Sequence, residues 1–292
     1  MNKLNPYIAA PGKKHTEADF PCQPDSDMTK IQSDKLLQEQ IKNIANLQQK
    51  LYAEGKTALL IIFQAMDAAG KDGTIKNVMS GINPQGCKVA TFKTPTKEEL
   101  SHDFLWRINK QLPEKGMIGI FNRSHYEEVL INKVHPQNLL TQNLPGIKTI
   151  NDIDSKFWKK RYESINTFEK HLVENGTDII KFFLHVSKEE QKKRFLERIE
   201  EENHNWKFSP NDIQERNYWE KYMQAYSDML TNTSTTYAHW YVIPADKKWY
   251  MRMLVAQIIR HHLEKIDPQY PKISDENKTF LSKAKKLLEQ EK

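Results

Sequence analysis

Residues 59–79 read LLIIFQAMDAAGKDGTIKNVM. An apolar run, Leu59 to Phe63, meets a loop of small residues ending in Gly70-Lys71-Asp72-Gly73, and a helical pattern follows. A buried strand, a tight small-residue turn and a helix start together make an anion site. The first-turn N–H groups of a helix have no intrahelical partner and point back at the loop. Lys71 adds a fixed positive charge. The stretch therefore reads as a phosphate-binding loop.

It departs from the strict G-x-x-x-x-G-K-[ST] pattern at two places. Ala65 stands where the first glycine belongs, and Asp72 replaces the hydroxyl residue that holds magnesium. Ala68, Ala69 and Gly70 still allow close backbone approach to phosphate. Asp67 and Asp72 offer the missing charge, since Mg²⁺ takes carboxylates together with phosphate oxygens.

Working outward, residues 28–54 are helical, with Leu37, Ile41, Ile44 and Leu51 near a 3.6 period, and Gly55 stops them. Short apolar strands are expected at 57–63, 89–92, 117–121, 179–186 and 239–243. Helices are expected between them at 73–80, 96–111, from 124, 154–174, 188–202 and 211–230, and after them at 246–265. Thr96 with Glu99, and Ser187 with Glu190, have capping-box spacing. Strands alternating with helices predict an α/β three-layer fold, a central parallel sheet of about five strands with helices on both faces. Residues 1–27 read as an irregular arm, 28–270 as one phosphate-loop domain with a lid at about 188–230, and 271–292 as a charged C-terminal helix.

The 292 residues carry 44 basic and 38 acidic side chains, a net charge of +6. That excess suits a solvated surface or an acidic partner and does not choose between them. Cys22 and Cys87 form no metal spacing and no disulfide framework, so a reduced cytoplasmic setting is expected. No apolar run has the roughly 18 residues of a membrane helix, and no signal-peptide core is present.

A second candidate site is Asn122-Arg123-Ser124-His125-Tyr126-Glu127-Glu128, at the carboxyl end of a predicted strand, where open parallel sheets bind ligands. Arg123 offers a planar fork of donors to phosphate. Glu127 and Glu128 are expected on a helix, where only one of the two faces the site. A third is the 188–216 hairpin. Arg194 and Arg198 share a helix face, Lys207 and Arg216 lie nearby, and Trp206 and Phe208 are placed to cover a base. This hairpin reads as a cationic lid. Arg107 is expected to pack and be solvated rather than to bind, and the histidines show no i, i+4 metal pair.

Four blocks, FQAMDAAGKDGTIKNVMSGINPQGC, HDFLWR, GIFNRSHYEEVLINKVHP and RFLERIEEENHNWKFSPND, resemble the second polyphosphate kinase family over roughly residues 30–265. The resemblance implies a phosphate-loop NTPase-like core similar to thymidylate kinases. It also implies reversible transfer of a terminal phosphoryl between inorganic polyphosphate and nucleotides, with Mg²⁺ or Mn²⁺, by a homo-oligomer such as a dimer or tetramer. Asp67, Lys71 and Arg123 match the family's catalytic positions. Polyphosphate is expected on Ala68, Ala69, Gly70, Lys71, Asp72, Gly73, Lys76, Arg194 and Lys207. Asn122, Arg123, Glu128, Arg198 and Asp212 are expected around the nucleotide, and Asp67, Asp72 and Glu127 around the metal. Much of the family has Gly at Ala65 and Asp72 and Asp at Asn122. The NRS-x-YEE version is similar to the class III subgroup, which phosphorylates both nucleoside mono- and diphosphates. AMP, ADP and ATP are thus the expected nucleotides, with guanine nucleotides open, and neither nucleic acid nor membrane is an expected partner. The competing readings are an ATP-dependent nucleoside-monophosphate kinase and a non-catalytic polyanion binder.

Overall fold

The computed structural model describes residues 4–203 and 205–291; the side chains of Asn5 and Lys207 also lie outside the described set. The apolar strands assemble into a six-stranded sheet in the order β1-β6-β5-β2-β4-β3. These are β1 (Ile8–Ala9), β2 (Ala58–Ala65), β3 (Cys87–Thr91), β4 (Ile118–Asn122), β5 (Thr177–His185) and β6 (Trp240–Pro244). β2 through β6 are mutually parallel. β2 is buried at every position, as expected for a strand covered on both faces.

The sixth strand is a correction. Residues 8–9 of the presumed irregular arm pair antiparallel with β6, Ile8 opposite Tyr241 and Ala9 opposite Trp240. Two residues are too few for any periodicity to reveal.

The helices are α1 (Lys30–Glu54), α2 (Lys71–Val78), α3 (Lys97–Leu100), α4 (Trp106–Asn109), α5 (Ile131–Val134), α6 (Ser155–Glu174), α7 (Lys188–Glu200), α8 (Pro210–Asn217), α9 (Trp219–Thr233), α10 (Lys248–Ile266) and α11 (Asp275–Gln290). α1, α2 and α10 pack together, and α6, α9 and the turns at 125–134 form a second group. Two expected helices are broken. The 96–111 segment divides into α3 and α4, with Asp103 Oδ1 accepting the Leu105 N–H in the gap. The 211–230 segment divides at Tyr218. The helix expected after Ser124 is a 3-10 turn, His125–Val129, followed by α5.

One ion pair sits inside this core. Lys181 of β5 and Glu169 of α6 are fully buried and 2.7 Å apart. The Lys181 ammonium also donates to Tyr126 Oη and the Thr233 carbonyl, and Tyr126 donates to Glu169. Every strong donor and acceptor in the group is satisfied, the condition under which a buried ion pair is tolerated. Among the described residues no helix is long and apolar enough to cross a membrane.

The chain leaves β2 toward β3 and β4 on one side and later places β5 on the other. Such a reversal opens a crevice at the carboxyl ends of the strands. The phosphate-loop stretch and the Asn122-Arg123 stretch both end there.

Candidate active site

The loop between β2 and α2 is shaped for an anion. Ala68 has a left-handed backbone (φ 61°), and Gly70, the N-cap of α2, has another (φ 106°). A side chain at Gly70 would be strained there, with its Cβ 3.2 Å from Met251 Cε. The Gly70 carbonyl accepts the Thr74 N–H at 2.9 Å. The amides of the first turn before Thr74 therefore remain for a ligand, at the positive end of the helix. Lys71 Nζ rests on the Ala65 carbonyl at 2.8 Å. Desolvation, and next the neighbouring Arg123 charge, lower the lysine below its ordinary pKa. A bound phosphate would favour its charged form again.

Arg123 follows β4 with φ 64°, a conformation rare for a long side chain and worth roughly 1–3 kcal/mol of strain. Its N–H reaches the Phe63 carbonyl at 3.1 Å. The Ser124 hydroxyl then accepts the Tyr126 N–H, and Tyr126 is tied to Glu169 inside the core. So braced, the Arg123 guanidinium faces the loop and donates to Asp67 Oδ1 at 3.1 Å. Glu127 is the chief cause holding Arg123 above its ordinary pKa. Burial pushes the Glu127 carboxyl up, while Arg123 and Lys71 pull it down. Gln64, the polar residue closing the apolar run of β2, donates to Glu127 Oε1 at 2.8 Å and accepts from Ser124. On the loop side, Asn122 donates to Asp72 Oδ1 at 2.7 Å.

Two cavities meet here. The first, of about 720 Å³, is lined by the loop from Asp67 to Gly73, by Arg194 and Arg198 of α7, and by Lys248 and Arg252 of α10. The second, of about 320 Å³, lies between residues 92–108 and 123–142 and has apolar walls at Leu100, Phe104 and Ile131. Phe92, Lys93 and Arg123 line both.

Several expectations change against this geometry. Arg194 is buried, and none of its donors is left for phosphate. Nε pairs with Glu190 at 2.9 Å, Nη1 donates to the carbonyls of Ala68 and Ala69, and Nη2 donates to those of Ala245 and Asp246. It clamps the loop from behind. Lys76 is exposed and lines neither cavity, because it falls beyond the first turn of α2. Glu127 and Glu128 both line the second cavity, where only one of them was expected to face the site. The lid residues face the loop cleft, where Arg198 pairs with Asp212 at 3.7 Å and Trp206 lines the wall. The side chain of Lys207 lies outside the described residues.

Sequence reasoning missed Gln64, and also Gln191, whose amide donates to the Asp67 carbonyl and accepts from Arg216. It also missed Lys248 and Arg252. The break in an apolar strand at Gln64, and the one-turn spacing of Lys248 and Arg252, were the available signals.

Among the described residues no three His, Cys, Asp or Glu side chains are grouped to hold a metal. The expected set Asp67, Asp72 and Glu127 is divided: the aspartates line the loop cleft and Glu127 lines the other cavity. One or two carboxylates completed by phosphate oxygens are the normal Mg²⁺ environment. Asp67 and Asp72 fit that role without a third protein ligand.

The family model for polyphosphate kinase 2 (PPK2) matches residues 27–271. The chain belongs to the PPK2 family. It is 53% identical to an ADP-polyphosphate phosphotransferase of Rhodopseudomonas palustris over 237 residues, 81% of each chain. It is 46% identical to an AMP/ADP-polyphosphate phosphotransferase of Meiothermus ruber over 79% of this chain and 80% of that one. The crystal structure of polyphosphate kinase 2 from Arthrobacter aurescens superposes with a TM-score of 0.79 at 44% identity, covering 86% of this chain and 85% of that one. The PPK2 match spans both cavities and every residue of the loop and of the Arg123 turn.

Proposed function

We propose that this chain is a polyphosphate-dependent nucleotide kinase that moves the terminal phosphoryl of inorganic polyphosphate to nucleoside mono- and diphosphates, AMP to ADP and ADP to ATP. The observation that carries the reading is the pair of cavities joined at Arg123. The loop cleft, with its helix N-terminus and cations, suits a polyanion. The second cavity has apolar walls, with Glu127 and Glu128 beside Lys93, Arg107 and Arg123 in its lining, so it suits a nucleoside carrying a phosphate. Its size is at the small end of the roughly 300–1,000 Å³ typical of small-molecule sites.

Polyphosphate lies along the Lys71 loop and toward Lys248 and Arg252. The nucleotide occupies the second cavity with its phosphate at Arg123. An acceptor phosphate oxygen forms a bond to the terminal phosphorus while the bridging P–O bond breaks. The shortened polyphosphate departs with the electron pair. The attacking oxygen is already ionised near neutral pH, so no strong base is needed. Positioning and charge neutralisation by Lys71 and Arg123 dominate the rate. Mg²⁺ or Mn²⁺, held by Asp67 and Asp72 with phosphate oxygens, supplies further charge neutralisation when bound. Similar phosphoanhydrides on both sides make the reaction reversible, so ATP is also a substrate, and guanine nucleotides fit the same chemistry. The free thiols of Cys22 and Cys87 support a reduced, cytoplasmic setting. A homo-oligomer, dimer or tetramer, rests on the family resemblance.

The test supplies AMP with polyphosphate or with ATP as sole donor. Conversion with polyphosphate is expected, and conversion only with ATP overturns the proposal. Lys71→Ala should lower kcat/KM about 10²–10³-fold, the range for losing one transition-state contact. Wild-type turnover in that variant would mean the loop is not catalytic.

A further inference from the structure

Part of the second cavity's lining is polar. There Glu128 is held by three groups from three parts of the chain: the Asn132 amide at 2.8 Å, the Gln142 amide at 2.7 Å and Arg161 Nη1 at 3.6 Å. Every one of these contacts is to Oε2. Oε1 receives no hydrogen bond among the described residues, and Glu128 lines the cavity. The supporting shell is rigid. Arg161, on α6, is only 6% exposed; its guanidinium stacks 4.3 Å from the Phe104 ring centre and 5.2 Å from that of Phe157. Its Nη2 donates to Gln142 Oε1 at 3.2 Å, which fixes the Gln142 amide with its NH₂ toward Glu128. Asn132 is fixed likewise, since its Oδ1 accepts from Asn138 at 3.4 Å. Arg161 Nη1 makes no hydrogen bond of its own, so the network closes fully only when the carboxylate is drawn in.

A solvated ion pair would need none of this. An acceptor-only group, desolvated beside apolar walls and aimed by two fixed amides and a stacked arginine, is a device for reading a donor. Arg123 lines the same cavity, so a nucleotide whose phosphate meets Arg123 has its base in a cavity that Glu128 also lines.

We propose that Glu128 is a specificity residue for the acceptor: its Oε1 accepts a hydrogen bond from an amino group on the nucleobase edge, and Arg161, Gln142 and Asn132 position it. The inference rests on the second cavity being the acceptor site. It favours bases carrying an amino group over bases with a carbonyl at the same place, where two acceptors would face each other. A site built to bond a substrate N–H leaves a buried polar group unpaired when that N–H is missing.

The experiment compares AMP with IMP, and CMP with UMP, as acceptors with saturating polyphosphate, in the wild type and in Glu128→Gln. Wild-type kcat/KM should favour AMP over IMP, and CMP over UMP, by about 10- to 100-fold, the range for a hydrogen bond to a charged group. The glutamine amide can donate as well as accept, so E128Q should compress both ratios at least several-fold while leaving the polyphosphate KM unchanged. Equilibrium binding of AMP and IMP to the wild type, without polyphosphate, gives the same preference independently of how the variant folds. Wild-type ratios within about twofold overturn the proposal. So does E128Q raising the KM of all four acceptors by one factor, which keeps the cavity as the acceptor site but not Glu128 as its reader. If E128Q leaves every acceptor KM unchanged, the cavity assignment falls as well.

Discussion

Arg194→Lys separates a clamp from a ligand. If Arg194 gripped polyphosphate, lysine would keep the charge and raise only the polyphosphate KM. The geometry says otherwise. The guanidinium bridges two loop carbonyls, at 3.1 Å for Ala68 and 2.7 Å for Ala69, to two carbonyls ahead of α10, at 2.6 Å for Ala245 and 3.2 Å for Asp246. An ammonium is a single point with three donors and cannot span both pairs. One strong contact and one weak one are lost, and their carbonyls stay buried. A hydrogen bond to a charged group is worth about 1.5–3 kcal/mol, and the weak one shares its donor, so about 2–4 kcal/mol is lost. At about 2–4 °C per kcal/mol for a domain of this size, Tm should fall by roughly 5–15 °C. The loop would also lose its backing, so kcat should fall with either acceptor. Thermal unfolding at a fixed scan rate, alongside kcat and both KM values, checks this. A Tm within about 2 °C of wild type, with only the polyphosphate KM raised, would refute the clamp.

Glu127 has a folded pKa raised above its unfolded value, chiefly by burial. The folded protein holds the extra proton between those two values, so stability falls as pH rises through that window and the deficit is complete above it. Glu127→Gln should therefore raise Tm at pH 8 in chelator, a gain that disappears below about pH 4; a gain that persists in acid means another cause. Asn122→Asp sets a carboxylate against Asp72, where Asn122 now donates at 2.7 Å. Tm should drop by the equivalent of about 1–3 kcal/mol in chelator and recover with Mg²⁺, and no recovery would argue against a cation between those positions. Lys181→Met leaves Glu169 charged and buried, at a cost of about 3–5 kcal/mol by denaturant unfolding. Adding Glu169→Leu should restore much of that, and a double variant no better than the single would show that the hydroxyl and carbonyl partners dominate.

The loop and the parallel sheet were legible because their signals are local: an apolar strand, small residues, a lysine, a helix start. Arg123 was legible for the same reason, at a strand end. Pairing across distance was not. Helical spacing put Arg194 and Arg198 on one face, but nothing in the sequence says that the first of them meets backbone carbonyls 51 and 125 residues away. Glu128 was expected near the nucleotide, whereas Arg161, 33 residues on, shows no motif that ties it there. The breaks at Asp103 and Tyr218 were also hidden, since helical periodicity continues across both. The two-residue strand β1 depends on an available sheet edge, a property of the assembled fold.

Among the described residues the two cavities share only Phe92, Lys93 and Arg123. With the donor and acceptor sites as proposed, their recognition is separable in heritable terms. Substitutions away from those three residues can retune which nucleotide is accepted while the polyanion track is left alone, and the reverse also holds. A chain arranged this way can change its acceptor by drift in the second cavity alone, and a designer can do so deliberately, provided the three shared residues are kept.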